Sequence, residues 1–290
     1  IQNTLIGGLA GDALTDADFN TAFGHEALGS DTLGSKSVAL GMNALRDQNF
    51  TTATDSFNVA VGYNAGISVT TGIENTLIGA LAGDALTDAD HNTAVGFNSL
   101  QLDTLGSRST AVGREALYSQ NFTTATNSNN TAVGYQAGTA ITTGTGNSYI
   151  GANAGDGSDD GANNVALGFL ALSANHGNNN VAVGEGAMIA GTGGTNTVVG
   201  SAAGGNASFA GSGNTLLGRS AGTGISSGSN NVVIGNGCDV NSAAQDNGIC
   251  IGVGIVAAAN DFSFGKASNV VTCDFDADAT FERSSDLRLK

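Results

Sequence analysis

Asn130 to Gly138 reads NTAVGYQAG, and the grammar of that stretch recurs along almost the whole chain. Before Gly134 stand a bulky apolar residue (Val133), a small one (Ala132), a β-branched one (Thr131) and Asn130. Alternation with period two and β-branched side chains predict a short strand ending at the Gly. A Gly closes such a motif fifteen times between Gly7 and Gly252, with a weaker copy at Gly265. The spacing from Gly7 to Gly24 is the usual one, and it lengthens from Gly41 to Gly62 and from Gly113 to Gly134. A longer period is superimposed, because Asn3–Glu74 reappears as Asn75–Gly146.

The positions are strict. The residue before the Gly is always bulky and apolar, as at Ile6, Phe23, Val95 and Ile251. Two before it Ala is usual, and four before it Asn stands in twelve of the fifteen copies. Three after the Gly, Ala again appears in twelve copies. One Asn per repeat at a corner predicts a hydrogen-bonded row, and Asn tolerates left-handed backbone there. The rest of each repeat is Thr, Gly, Asp, Ser and Asn, which suits turns.

A repeat of about 17 residues is too short for a β-α-β unit, which needs about 30, and fits one coil of a solenoid with parallel stacked strands. The expected fold is therefore all-β: a parallel β-solenoid of about 15 coils over residues 1–260, followed by a connecting segment, 261–283. One coil encloses little volume. We expect the bulky face inside each coil and the flat Ala face packed between three copies of the chain.

Composition agrees with an elongated body. Of 290 residues 45 are Gly, none is Pro or Trp, 40% are hydrophobic and only 12% are charged. That is too apolar for disorder and too poor in large side chains for a bulky globular core. The net charge is −16, and four of the nine bases (Lys266, Arg283, Arg288, Lys290) follow the last motif Gly. Such a surface repels phosphate, so nucleic acid is not an expected partner. No apolar run approaches a membrane span. No leader peptide is recognisable, and the start at Ile1, inside a repeat and without Met, reads as a truncated N-terminus.

The units NTAVGYQAG and NVAVGEGA (Asn180–Ala187) resemble the head repeats of trimeric autotransporter adhesins and the related β-roll repeats of phage tail fibres. The resemblance covers about residues 3–260. It implies a left-handed parallel β-roll that trimerises, in a repeat somewhat longer than the adhesin one. SSDLRLK (Ser284–Lys290) resembles the opening of the self-cleaving intramolecular chaperone that ends many phage tail fibres and tailspikes. That match implies Ser285 as nucleophile, Asp286 as its neighbour and Lys290 as base, with residues 284–290 the start of a removed or absent chaperone domain. The function so implied is a structural segment of a trimeric phage tail fibre on the virion, contributing to host attachment. Its partners would be itself, other fibre or tail proteins, and a host-surface glycan or protein. The head of a bacterial trimeric surface adhesin is the alternative, and a polysaccharide-degrading tailspike a third reading. The tailspike reading needs two carboxyl groups across a sugar cleft, for which even, short coils leave little room.

Other chemistry is sparse. Cys238 and Cys250 occupy Ala positions and read, with Cys273, as structural thiols; an odd count does not make a complete disulfide framework. His25, His91 and His176 belong to distant coils, so no metal-ligand set is legible. Gly224–Gly228 (GISSG) matches a nucleophile elbow only in letters, because the strand-to-helix context is missing. The acidic loops Gly11–Asp18, Gly83–Asp90 and Gly155–Gly161 are candidate Ca²⁺ sites, although none has a known calcium-loop spacing. Receptor contact is expected at Phe50 and Phe122, in the segments that lengthen the coils Gly41–Gly62 and Gly113–Gly134. It is expected also at Tyr63, Phe97 and Tyr135, each directly after a motif Gly. No cofactor and no enzymatic activity are expected, apart from self-cleavage at Ser285.

Overall fold

The structure is a computed structural model that describes residues 2–157, 160–205, 208–274 and 281–283, and among them every regular element is a β-strand. The chain is a parallel β-solenoid in two compact units, Ile1–Ala152 and Asn153–Lys290. In the first unit short strands, from Thr4–Ile6 to Ser148–Ile150, pair in parallel with their neighbours in one register. Thr4 lies opposite Thr21, Leu5 opposite Ala22 and Ile6 opposite Phe23. In the second unit strands from Val165–Leu167 to Ile249–Val253 stack likewise, and Asp261–Lys266 adds a further parallel rung. Parallel stacking thus runs past residue 260 to Lys266. There the chain reverses, Asn269–Asp274 pairing antiparallel with Asp261–Lys266 and then with Phe281–Arg283.

The motif Gly is required by backbone geometry. Gly24 and Gly79 have φ of 145° and 134°, a region that side chains resist. A Cβ on Gly79 would also drive into the carbonyl of Gly96 in the next coil.

The assignment of faces is the reverse of the expected one. Ala22, Ala39, Ala60, Ala94 and Ala111, each two before a Gly, are fully buried inside the coil, while the bulky residues one before the Gly point outward. The reason is volume. The lumen also receives the Ala three after the Gly and, in several coils, a large side chain four after it. That side chain is Leu28, Leu45, Leu100 or Leu117, four after the Gly, all fully buried. Where Leu77, Tyr149, Val198 or Leu216 takes the strand position instead, the fourth position is Gly. A Cβ on Gly83 would stand 2.8 Å from both Leu77 and Leu86. Interiors packed to crystal-like density leave no space for a second row of Ile and Val.

The Asn row forms as expected, chiefly through the backbone. Asn3 Oδ1 accepts the N–H of Asn20 at 2.8 Å, and Asn75 Oδ1 that of Asn92 at 2.9 Å. The Nδ2 groups donate to buried backbone carbonyls, as from Asn20 to that of Gly34 at 2.8 Å. The left-handed residue is the one before the Asn: Phe19, Phe57, Glu74 and His91 have φ between 51° and 62°. The Asn itself stands immediately before the strand.

Ser37 and Ser109 replace Asn just before the two longer coils, and there Gln48 and Gln120 supply the missing amide. Gln48 Nε2 donates to Ser37 Oγ at 3.0 Å and to Asp31 at 2.6 Å, and its Oε1 accepts from Asn58 Nδ2 at 2.9 Å. Asp31 is completely buried and also accepts the N–H groups of Gly34 and Phe50, at 3.0 and 3.2 Å. Asp103, Ser109, Gln120 and Asn130 repeat the arrangement. A buried carboxylate with three N–H donors is satisfied without a cation.

Candidate functional site

Two outward rows follow from the register. The first is the bulky residue before each Gly. In the first unit it contributes one apolar side chain per coil, about 4.8 Å apart, with Phe23 56% and Ile150 44% exposed. Its companions three before the Gly are half-buried Thr and Val. No charged residue interrupts this face, because the strand pattern admits none at those positions. Soluble monomers rarely leave so continuous an apolar strip in water.

The second row is the residue after each Gly. Tyr63, Phe97 and Tyr135, singled out in the sequence, are about half exposed, as is Met42. Arg114 lies between two of the rings, 5.8 Å from the centroid of Phe97 and 5.8 Å from that of Tyr135. Glu115 holds the guanidinium at 2.7 Å and accepts from Gln136 Nε2 at 2.7 Å; that amide first, then Arg114, keeps its carboxyl below the usual range. The row is thus a stacking surface with a fixed cation, a geometry suited to sugar rings or planar groups.

Phe50 and Phe122 are elsewhere. They fold back under the inserted segments, only 5% and 6% exposed, and offer no surface to a ligand. The reason is Gly34 and Gly106, whose missing side chains leave the space that each ring fills. The residues that sequence reasoning missed here are Gln48 and Gln120; the signal was the loss of Asn at Ser37 and Ser109. Ser285, Asp286 and Lys290 lie outside the described residues, as do residues 158–159 of the third acidic loop.

The described acids are spread along the coils. Asp90 accepts the N–H of Ile73 at 2.8 Å, Asp88 pairs with Thr71, and Asp156 with Ser173. Among the described residues no three His, Cys, Asp or Glu side chains converge to hold a metal ion. Ser226 of the GISSG segment donates to the carbonyl of Ala243 at 3.1 Å from an exposed turn. Cys238, Cys250 and Cys273 are buried free thiols. Burial first, then the neighbouring Cys238, pushes the Cys250 thiol up to about 12, so the thiolate that reactivity requires is suppressed. Among the described residues no helix is long and apolar enough to cross a membrane.

Fold and surface together define a parallel β-solenoid repeat protein with an unpartnered apolar face. Comparison with family models, with curated proteins and with solved structures returns no match.

Proposed function

We propose that this chain is a structural segment of a trimeric extracellular fibre, in the manner of a phage tail fibre that contributes to host-surface attachment. The observation that carries the reading is the outward row of bulky apolar residues, one per coil, uninterrupted by charge. A partner that covers such a row must present apolar groups at the same spacing, and another copy of the chain does so coil for coil. Three copies around an axis would each turn this face inward and keep the acidic turns in water. The aromatic row after the Gly, with Arg114 fixed between Phe97 and Tyr135, is the surface offered to a host glycan or protein.

The test is the absolute mass of the native protein in solution by light scattering. A mass of three times 28.5 kDa is expected. A stable monomer at micromolar concentration would remove the fibre reading and leave the solenoid standing.

A further inference from the structure

Directly after the motif Gly, five consecutive coils of the first unit carry Tyr63, Ala80, Phe97, Arg114 and Tyr135. Their strands pair in parallel in one register, with Val61 beside Ile78, then Val95, Val112 and Val133. The backbone keeps the row itself in line. The carbonyls of Tyr63, Ala80, Phe97 and Arg114 accept the N–H groups of Leu81, Asn98, Glu115 and Gln136 at 2.9, 3.2, 2.9 and 2.9 Å. The exposed rings of Tyr63, Phe97 and Tyr135 thus stand on alternate coils. They recur at about twice the strand spacing of about 4.8 Å.

The residues between the rings differ. Ala80 leaves the space between Tyr63 and Phe97 without a long side chain. Arg114 occupies the next one, its guanidinium 5.8 Å from the centroids of both Phe97 and Tyr135. Glu115 neutralises that charge at 2.7 Å, so the five residues and this partner carry no net charge. An acidic polymer would be repelled by a chain of net charge −16. A cationic one would find the Glu115 carboxylate already engaged by Arg114 and Gln136. What remains is a neutral ligand with flat apolar faces repeated along a line. An extended ribbon of equatorially linked pyranose rings has that form: each ring advances the chain by close to one rung, and every second ring presents the same face.

We propose that Tyr63, Phe97 and Tyr135 form a ladder for a neutral, extended polysaccharide lying along the solenoid, the first, third and fifth of five successive sugar rings stacking on them. Sugar faces pack on aromatic faces, and Arg114 has N–H donors beyond the one held by Glu115 for hydroxyls of the fourth ring. This names the ligand class of the aromatic surface and rests on the reading of that surface as the one a host glycan meets.

The experiment is isothermal titration of the native whole chain with cello- and chito-oligosaccharides of one to six rings, and with maltopentaose, whose linkage curves the chain. Affinity for one of the two extended series should climb in steps at three and at five rings, each roughly three- to tenfold, and no further at six. Maltopentaose should bind no better than a single ring. In Tyr63→Ala the step at five should vanish and the step at three remain. In Phe97→Ala the step at three should vanish and the step at five remain. Both substitutions remove exposed side chains, so circular dichroism should not change. If either protein does not fold, Tyr135→Ala, expected to behave as Tyr63→Ala, is read in its place. No binding of either series, or binding without the steps, overturns the ladder, and in a protein of three times 28.5 kDa it leaves the fibre reading standing. Stepped binding by a protein of monomer mass supports the ladder and removes the fibre. A fall of native mass in Phe97→Ala would make the row a contact between copies and overturn the ladder.

Discussion

Gln48 Nε2 lies 3.0 Å from Ser37 Oγ and brings, from further along the chain, the amide that the Asn row lacks at that coil. Its removal strands two buried groups at once. Gln48→Leu leaves the Asp31 carboxylate short of a donor and Asn58 short of an acceptor, and should lower stability by about 2–3 kcal/mol. Thr51→Ala, on the exposed part of the same insertion, should stay within about 0.5 kcal/mol. Urea unfolding midpoints, with hydrogen exchange to locate the loss, would check the pair, since repeat arrays need not unfold in one step.

The motif Gly can be tested against a neighbour. Gly79→Ala places a Cβ in the next carbonyl at a φ of 134°, and should cost about 3 kcal/mol or more, or prevent folding. Gly8 has ordinary φ and only the His25 ring nearby, at 3.4 Å, so Gly8→Ala should be close to neutral. Equal losses at the two positions would mean that backbone geometry is not what selects Gly.

The outward apolar row should matter for association and hardly at all for the coil. In Ile78→Lys combined with Ile150→Lys, the far-ultraviolet circular dichroism should remain that of the unaltered chain while the native mass falls towards 28.5 kDa. Thr52→Lys, which adds charge on the exposed insertion, should leave the mass unchanged. A double variant that keeps the full mass would place the contact between copies on another face.

His176 makes the second unit sensitive to acid. Burial pushes its imidazole below the ordinary value of 6.5, with the carbonyl of Gly177 at 3.1 Å opposing more weakly. The unfolded chain therefore takes up this proton first, and stability present above about pH 6.5 is lost as pH falls below it, by up to about 1.4 kcal/mol per pH unit. In His176→Gln that part of the slope should disappear. Melting midpoints of the two proteins between about pH 7.5 and 5.5 would diverge at the neutral end and converge at the acid end, if the substitution itself is destabilising. Parallel curves would sink the assignment.

The strands are legible in the sequence because one position, the Gly, cannot be substituted without a collision, so Gly24 or Gly79 marks its coil unambiguously. Which face lines the lumen is not legible. Alternation separates Ala94 from Thr93 and Val95 but is silent on which side is enclosed, and that depends on how much space Leu100 has already taken. Phe50 reads as a surface group because insertions usually bulge; its burial depends on Gly34, in the preceding coil, having no side chain.

The coils of the first unit meet their neighbours through recurring pieces, a Gly on a Gly and, except at Ser37 and Ser109, an Asn on the N–H of the next coil. An added coil therefore needs no fitting: its upper surface matches what its lower surface accepts. The return of Asn3–Glu74 as Asn75–Gly146 is what such a structure permits, a copying event that lengthens the protein without disturbing a single existing contact pattern. Length in this molecule is open to change by unequal recombination alone, whereas any alteration within a coil must satisfy the coils on both sides.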